Sequence, residues 1–321
     1  MNTHETTNNT EENLDRALRP TTFDDFLGQE ESKANLEVYV KAALSRREAL
    51  DHILLAGPPG LGKTTLAGIL ANEMGAKLVV VNAPSIKTKG ELASVLASLR
   101  KGDILFLDEI HSLNNRVEEV LYPAMEDFKL EVVAGNQPLT IKLEPFTLIG
   151  ATTRAGMLQR PLRDRFGVLV EMQLYTEDEL TQIVTKSAEK LGMVCTDRGA
   201  KELARRARGT PRVANRILRR VRDFAQVQVT NIVDDRLVEY TCDRLGIDCI
   251  GLDVNSQRYL RVLAEKNQPV AFTTLVSLLG ESKDTIEEVI EPNLMRLGLV
   301  EKTPKGRIIT KTGNAHLFGE Q

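Results

Sequence analysis

The stretch Gly57-Pro58-Pro59-Gly60-Leu61-Gly62-Lys63-Thr64-Thr65 constrains this chain more than any other. It follows the apolar run Ile53-Leu54-Leu55-Ala56 and precedes Leu66-Ala67-Gly68-Ile69-Leu70-Ala71-Asn72-Glu73-Met74. The first run reads as a buried strand and the second as a helix. Strand, glycine-rich loop and helix in that order, with every fixed position of G-x-x-x-x-G-K-[ST] filled, is the setting of a phosphate-binding loop. The glycines let successive backbone N–H groups turn inward on an anion, and the helix N-terminus adds partial positive charge at the same spot. Lys63 is placed to reach the β- and γ-phosphates of ATP, and the Thr64 hydroxyl to ligate Mg2+. A glycine-rich turn without a ligand is the alternative, and the completeness of the pattern disfavours it.

At 321 residues the chain exceeds one small domain, and two or three are expected. The net charge of −3 means that any nucleic-acid contact must come from a local basic patch. Cys195, Cys242 and Cys249 show neither metal nor disulfide spacing, which suits a reducing cytosol, and the scattered histidines predict no structural zinc. No apolar run approaches the ~18 residues of a membrane span and no signal peptide opens the chain, so a cytoplasmic protein is expected. Residues 1–17, rich in Asn, Thr and Glu, read as a disordered lead-in.

Along the chain, a helix is predicted from Glu30 to Arg47, with Leu36, Val40 and Leu44 at helical spacing. After the phosphate loop come a strand from Lys77 to Val81, a helix from Gly90 to Leu99 and the apolar strand Asp103-Ile104-Leu105-Phe106-Leu107-Asp108-Glu109. Arg116 to Phe128 reads as one helix, and Glu131 to Leu143 as two short strands about Gly135-Asn136. Core strands at 146–150 and 168–174 complete an alternating pattern, hence an α/β domain (18–174) with a mostly parallel sheet. From 175 to 250 the pattern is helical: Glu177 to Leu191, Asp197 to Arg208, Pro211 to Val227 and Asp235 to Leu245 form a four-helix unit. In 251–321, three helices are followed by a hairpin about Thr303-Pro304-Lys305-Gly306, the pattern of a winged helix.

Asp108 and Glu109 stand where an apolar strand emerges. Beside a phosphate loop, Asp108 would hold Mg2+ and Glu109 would polarise the attacking water. The second carboxylate argues for turnover, because a nucleotide switch does not require it. Thr153, at the end of Gly150-Ala151-Thr152-Thr153, could hydrogen-bond the attacking water or the γ-phosphate. Arg163 and Arg165 sit on a short segment from which an arginine can reach a neighbouring subunit's nucleotide. Arg212 follows Pro211 at a helix start and can reach back to the phosphates. Between Arg296 and Lys311 five basic residues (Arg296, Lys302, Lys305, Arg307, Lys311) face one acid, Glu301, which places phosphate contact on the wing.

These phrases together resemble the RuvB family of AAA+ branch-migration motors. The likeness runs from Leu18-Arg19-Pro20 to the wing. It is carried by Asp108-Glu109-Ile110-His111, by the run from Val117 to Phe128, by 146–154, by Arg160-Pro161-Leu162-Arg163-Asp164-Arg165-Phe166-Gly167, by Gly209-Thr210-Pro211-Arg212 and by 284–289. The resemblance implies an ATP-hydrolysing hexameric ring that moves duplex DNA through four-way junctions with a RuvA partner. It implies Arg165 as the finger, Arg212 as a second sensor, and Leu18, Arg19, Tyr175 and the Glu126-Asp127-Phe128 stretch as neighbours of the nucleotide. It also implies DNA contacts at Lys283, Lys302 and Arg307. The first two are typically arginines in the family, so charge is kept here while bidentate geometry is lost. The hairpin 131–143 is shorter than the family pattern and lacks its Ala-Arg-Ser-Ile run. A clamp-loader-like or helicase-loader ATPase, or a winged-helix regulator that binds ATP as a switch, are the rival readings.

Overall fold

The computed structural model describes residues 17–134 and 137–319. Two compact units divide the chain: one gathers the residues up to Cys195 with Gly209–Leu218, the other Thr196–Arg208 with Arg219 onward. The 1–17 lead-in lies, except for its last residue, outside the described residues, as do Gly135 and Asn136 at the hairpin tip.

In the first unit, β1 (Ile53–Ala56), β2 (Leu78–Asn82), β3 (Ile104–Asp108), β6 (Thr147–Thr152) and β7 (Val168–Glu171) form one sheet in the order β2-β3-β6-β1-β7. Every pairing is parallel. The chain must therefore cross back between strands, and helices such as α2 (Lys63–Met74) and α3 (Lys89–Ala97) carry it, while α1 (Glu30–Arg46) precedes the first strand. β1 and β6 are buried throughout, which is why β1 is an unbroken apolar run and β6 is apolar between its two terminal threonines, neither alternating. Helix starts follow local chemistry: Thr88 with Glu91, and Thr176 with Glu179, close reciprocal capping boxes. Leu105, Leu107, Leu121, Phe146, Leu148 and Leu162 belong to one core on a face of the sheet.

The single helix predicted from Arg116 to Phe128 is in fact two short ones, α4 (Asn115–Glu118) and α5 (Leu121–Glu126). Pro123 is the cause, since it has no N–H to give the Glu119 carbonyl and its ring crowds that group. The hairpin forms as expected from β4 (Lys129–Ala134) and β5 (Gln137–Lys142), antiparallel from Lys129 opposite Lys142. Leu130 and Leu143 anchor its base in the core, whereas Leu139 and Ile141 are exposed.

In the second unit, α11 (Val254–Lys266), α12 (Phe272–Leu279), a third helix and the wing strands β8 (Val300–Thr303) and β9 (Gly306–Ile309) share one core around Tyr259, Leu260, Leu275, Ile286 and Leu294. Between β6 and this core the chain forms α6 (Arg160–Arg163) and α7 (Glu177–Lys190), both of the first unit, then α8 (Asp197–Arg206), α9 (Pro211–Val227) and α10 (Asp235–Arg244). The third helix opens as a π-turn over Thr285–Ile290 and becomes α13 (Glu291–Arg296). Pro292, which cannot donate to the Glu288 carbonyl, stands where the two meet. The chain does not end on the wing. Thr310 caps α14 (Lys311–Phe318), so Lys311 is a helix residue and not part of the hairpin.

Candidate nucleotide site and wing

The sheet delivers its chemistry to one edge. The phosphate loop leaves the carboxyl end of β1, Asp108 ends β3 and Thr152 ends β6, with Ala56 opposite Thr152. Ligands of open α/β sheets bind outside these strand ends. Gly60 and Gly62 sit at φ +81° and +102°, where a side chain is strained. A Cβ on Gly60 would also lie 2.9 Å from Arg212 Cβ, so the bare glycine lets Arg212 close over the loop.

One cavity in the first unit collects Leu18, Arg19, the loop from Pro59 to Thr65, Asp108, Glu109, Thr153, Tyr175 and Arg212. Lys63 is 8% exposed, and its Nζ donates to the carbonyls of Gly57 (2.7 Å) and Pro58 (2.9 Å). These two loop residues act on the site through that lysine, as neither lines the cavity. Burial lowers the Lys63 pKa; Asp108 and Glu109 oppose that effect and Arg212 reinforces it. The buried Tyr175 hydroxyl donates to the Leu61 carbonyl at 3.3 Å, holding the loop, and burial pushes its pKa upward. Ile183, Lys186, Ser187 and Lys190 of α7 also line the cavity. Sequence reading missed them, although their i, i+3, i+4, i+7 spacing shows that they share a helix face.

Arg165 and the Glu126-Asp127-Phe128 stretch are not among the residues lining this cavity. They sit near one another instead. Arg165 Nη2 is 3.1 Å from Glu126 Oε1, Nη1 donates to the Pro161 carbonyl at 2.6 Å, and the guanidinium lies 4.6 Å over the Tyr122 ring. Tyr122 in turn donates to the buried Glu118 at 2.9 Å, where burial raises the carboxyl's pKa. Phe128 packs on the core and stacks edge-on against Phe146. Of the residues expected to border the nucleotide, Leu18, Arg19, Tyr175 and Arg212 thus line this cavity, and Arg165 and the Glu126-Asp127-Phe128 stretch do not.

Lys283, just ahead of the π-turn of the third helix, is exposed, and Lys302 on wing strand β8 is half-exposed, as a phosphate contact requires, with its Nζ 3.3 Å from Glu291 Oε2. Arg307 differs. Its guanidinium grips Glu291 through Nε (2.8 Å) and Nη2 (3.2 Å) and lies 4.3 Å over the Phe272 ring. Two of its nitrogens, Nε and Nη2, are thus engaged by a buried carboxylate, which favours an internal anchor over the expected phosphate contact.

A parallel sheet with a phosphate loop, paired carboxylates and a polar strand end at one edge, in a chain that also carries a winged helix, defines a P-loop ATPase of the AAA+ class. Three family models together span nearly the whole chain: "Holliday junction DNA helicase RuvB P-loop domain" over residues 18–172, "RuvB AAA lid domain" over 175–248 and "RuvB C-terminal winged helix domain" over 249–318. The chain belongs to the RuvB family. It is 50% identical over 309 residues to a "Holliday junction branch migration complex subunit RuvB" of Paracoccus denitrificans, covering 94% of this chain and 91% of that protein. A protein of the same name from Campylobacter hominis is 50% identical over 305 residues, covering 94% and 90%. The solved Thermotoga maritima RuvB Holliday junction branch migration motor superposes with a TM-score of 0.87 at 43% identity, covering 95% of this chain and 99% of that one.

Proposed function

We propose that this chain hydrolyses ATP to move duplex DNA and so drives branch migration at four-way junctions. The observation that carries the reading is the convergence of Lys63, Asp108, Glu109, Thr153 and Arg212 on one cavity. Lys63 and Arg212 bind the phosphate charge, Thr153 senses the γ-phosphate, and Glu109 polarises the attacking water. The Thr64 hydroxyl and the Asp108 carboxylate both line the cavity, and few hard oxygen donors completed by water and phosphate suit Mg2+. These two residues would hold the ion, which when bound would neutralise phosphate charge. Glu109 argues against an ATP-binding regulator that only switches.

Arg165 and Glu126 lie off the chain's own cavity, which supports a site shared between neighbours in a ring, expected to be hexameric. Arg165 Nε is buried without a hydrogen-bond partner, so the guanidinium is not fully satisfied where it lies. Lys283 and Lys302 are the DNA-phosphate contacts in this reading. The exposed Leu139 and Ile141 of the hairpin would dock a RuvA-like protein. No helix among the described residues is long and apolar enough to cross a membrane, and a cytoplasmic location accords with a DNA substrate.

The test is ATP-dependent branch migration of a synthetic four-way junction, with and without RuvA. Movement of the junction by the parent chain, lost in Lys63→Ala, is expected. ATP turnover without any junction movement, in the presence of RuvA and of mixed DNA substrates, would favour a loader ATPase.

A further inference from the structure

His111 is used by no step described so far. It sits on the short turn Ile110–Ser112 after β3, with its side chain 10% exposed. Its Nε2 lies 3.4 Å from Glu109 Oε2, and its Nδ1 lies 2.9 Å from Thr152 Oγ1. Thr152 is fully buried, and its Oγ1 accepts the Arg154 backbone N–H at 2.9 Å. Thr153, between them in sequence, lines the nucleotide cavity.

The direction of this chain of contacts follows from what each group can do. The Arg154 N–H can only donate, so Thr152 Oγ1 accepts there and keeps its one proton for His111. An imidazole that accepts at Nδ1 carries its proton on Nε2, which faces the Glu109 carboxylate. The opposite tautomer would set a nitrogen lone pair against a carboxylate. The Glu109 backbone itself is left-handed (φ 55°), an uncommon state for a glutamate. The 3.4 Å contact is long, as hydrogen bonds in a site without substrate often are, and can tighten on binding.

We propose that His111 is a positioning residue for hydrolysis: it ties the Glu109 carboxylate to the strand end that carries Thr153, so that the base and the γ-phosphate sensor move together. The proposal deepens the reading of Glu109 as the group that polarises water and rests on it. It gives the strand end a route to the base that needs no contact with the nucleotide.

The experiment measures ATP binding and single-turnover hydrolysis for the full chain and for His111→Ala, His111→Gln, Thr152→Val, His111→Ala with Thr152→Val, and Glu109→Gln. His111→Ala is expected to lower the hydrolysis rate by ~10–100-fold, the worth of one hydrogen bond to a charged group, with ATP affinity within about twofold of the parent. His111→Gln places an amide donor where Nε2 stands and should recover most of the rate. Thr152→Val, nearly isosteric, should slow hydrolysis in the same direction. The double variant should be no slower than His111→Ala, since both changes cut one chain. Thr152→Val alone carries the test if His111→Ala does not fold, as judged by thermal unfolding. An unchanged rate in His111→Ala, additive losses in the double variant, or a failure of glutamine to recover any rate would overturn the proposal. Glu109→Gln separates the two readings. A parent-like rate there removes the base assignment itself, whereas an inactive Glu109→Gln beside a normal His111→Ala removes only the role of His111.

Discussion

Arg307→Ala distinguishes a wing anchor from a phosphate contact. Glu291 is 1% exposed and takes hydrogen bonds from both sides of the wing fold: Arg307 at 2.8 and 3.2 Å, and the Tyr259 hydroxyl at 2.8 Å. Lys302 Nζ stands 3.3 Å away but is 54% exposed. Burial raises the Glu291 pKa, yet the bonds from Arg307 and Tyr259 outweigh it and hold the carboxyl below its ordinary value. The carboxylate is therefore charged, and deleting Arg307 leaves it with the Tyr259 hydroxyl and the exposed Lys302 ammonium. Removing one partner of a buried pair costs ~3–5 kcal/mol. Because Lys302 remains, the low end of that range, about 3 kcal/mol, is expected. Lys302→Ala breaks only an exposed contact and should cost under about 1 kcal/mol. Hydrogen exchange over residues 254–318 reads the stability locally, and duplex binding over a salt series reads the charge contacts. Lys302→Ala should reduce the slope of log K against log salt by about 0.9 with little loss of protection. Arg307→Ala should lose protection by the amount above and leave the slope unchanged, measured where the wing is still folded. A slope reduced by about 0.9 with intact protection in Arg307→Ala would refute the anchor and return this residue to the DNA surface.

Lys63→Ala should weaken ATP binding, whereas Glu109→Gln should bind ATP and nearly cease hydrolysis; equal ATP affinities in the two variants would count against this division. Arg165→Ala should bind ATP yet lose roughly 10³–10⁵ in rate, and mixing it with Lys63→Ala should restore some turnover at interfaces that pair an intact loop with an intact finger. No recovery in rings shown to be mixed would place the arginine's action within its own chain. Leu139→Ser with Ile141→Ser should spare ATP hydrolysis and abolish binding of RuvA, and tight RuvA binding by this variant in calorimetry would remove the hairpin's docking role. His52 gives a pH dependence of stability. Burial holds its pKa below the ordinary 6.5, while Nδ1 accepts the Leu148 N–H at 2.8 Å and Nε2 lies 3.2 Å from the Met125 carbonyl. The unfolded chain takes up the proton more readily, so this contribution is fully present above pH 6.5 and is lost as pH falls below that value toward the folded-state pKa. Between about pH 7.5 and about pH 5.5 the parent's Tm should drop more than that of His52→Gln, and equal drops would contradict the assignment.

The parallel sheet and its phosphate loop were legible because each depends on neighbours in sequence. Ile53 to Ala56 is apolar without interruption, and the glycines and Lys63 follow at fixed spacing. The split of the helix after Arg116 was legible too, since Pro123 stands inside the run; reading the apolar spacing alone overrode it. The last helix carried a weaker sign, Thr310 at its cap, on a segment of only Lys311–Phe318. Sites built across long separations are another matter. Asp108-Glu109-Ile110-His111 shows a histidine near the base, but nothing local says that Thr152 will hold its other nitrogen.

Charge counting reaches only so far for the same reason, and Arg307 and Arg165 show how. An excess of cations on the wing predicts phosphate contact only if each cation is free to make it. Glu291 lies sixteen positions before Arg307 and on a different element, so the sequence lists both charges without pairing them. Burial then decides the outcome: a carboxylate at 1% exposure must be paired, and the largely buried fork-shaped donor is its main partner, whereas Lys302 at 54% exposure meets it from the solvent side. Arg165 presents the complementary case. Its partners Glu126 and Tyr122 are exposed or half-buried, so the pair costs little to open, and a guanidinium held by a surface carboxylate and a ring face can be passed to a more strongly charged acceptor. Arg307 is matched to a buried acid, whereas Arg165, the proposed finger, is matched to one that water already reaches.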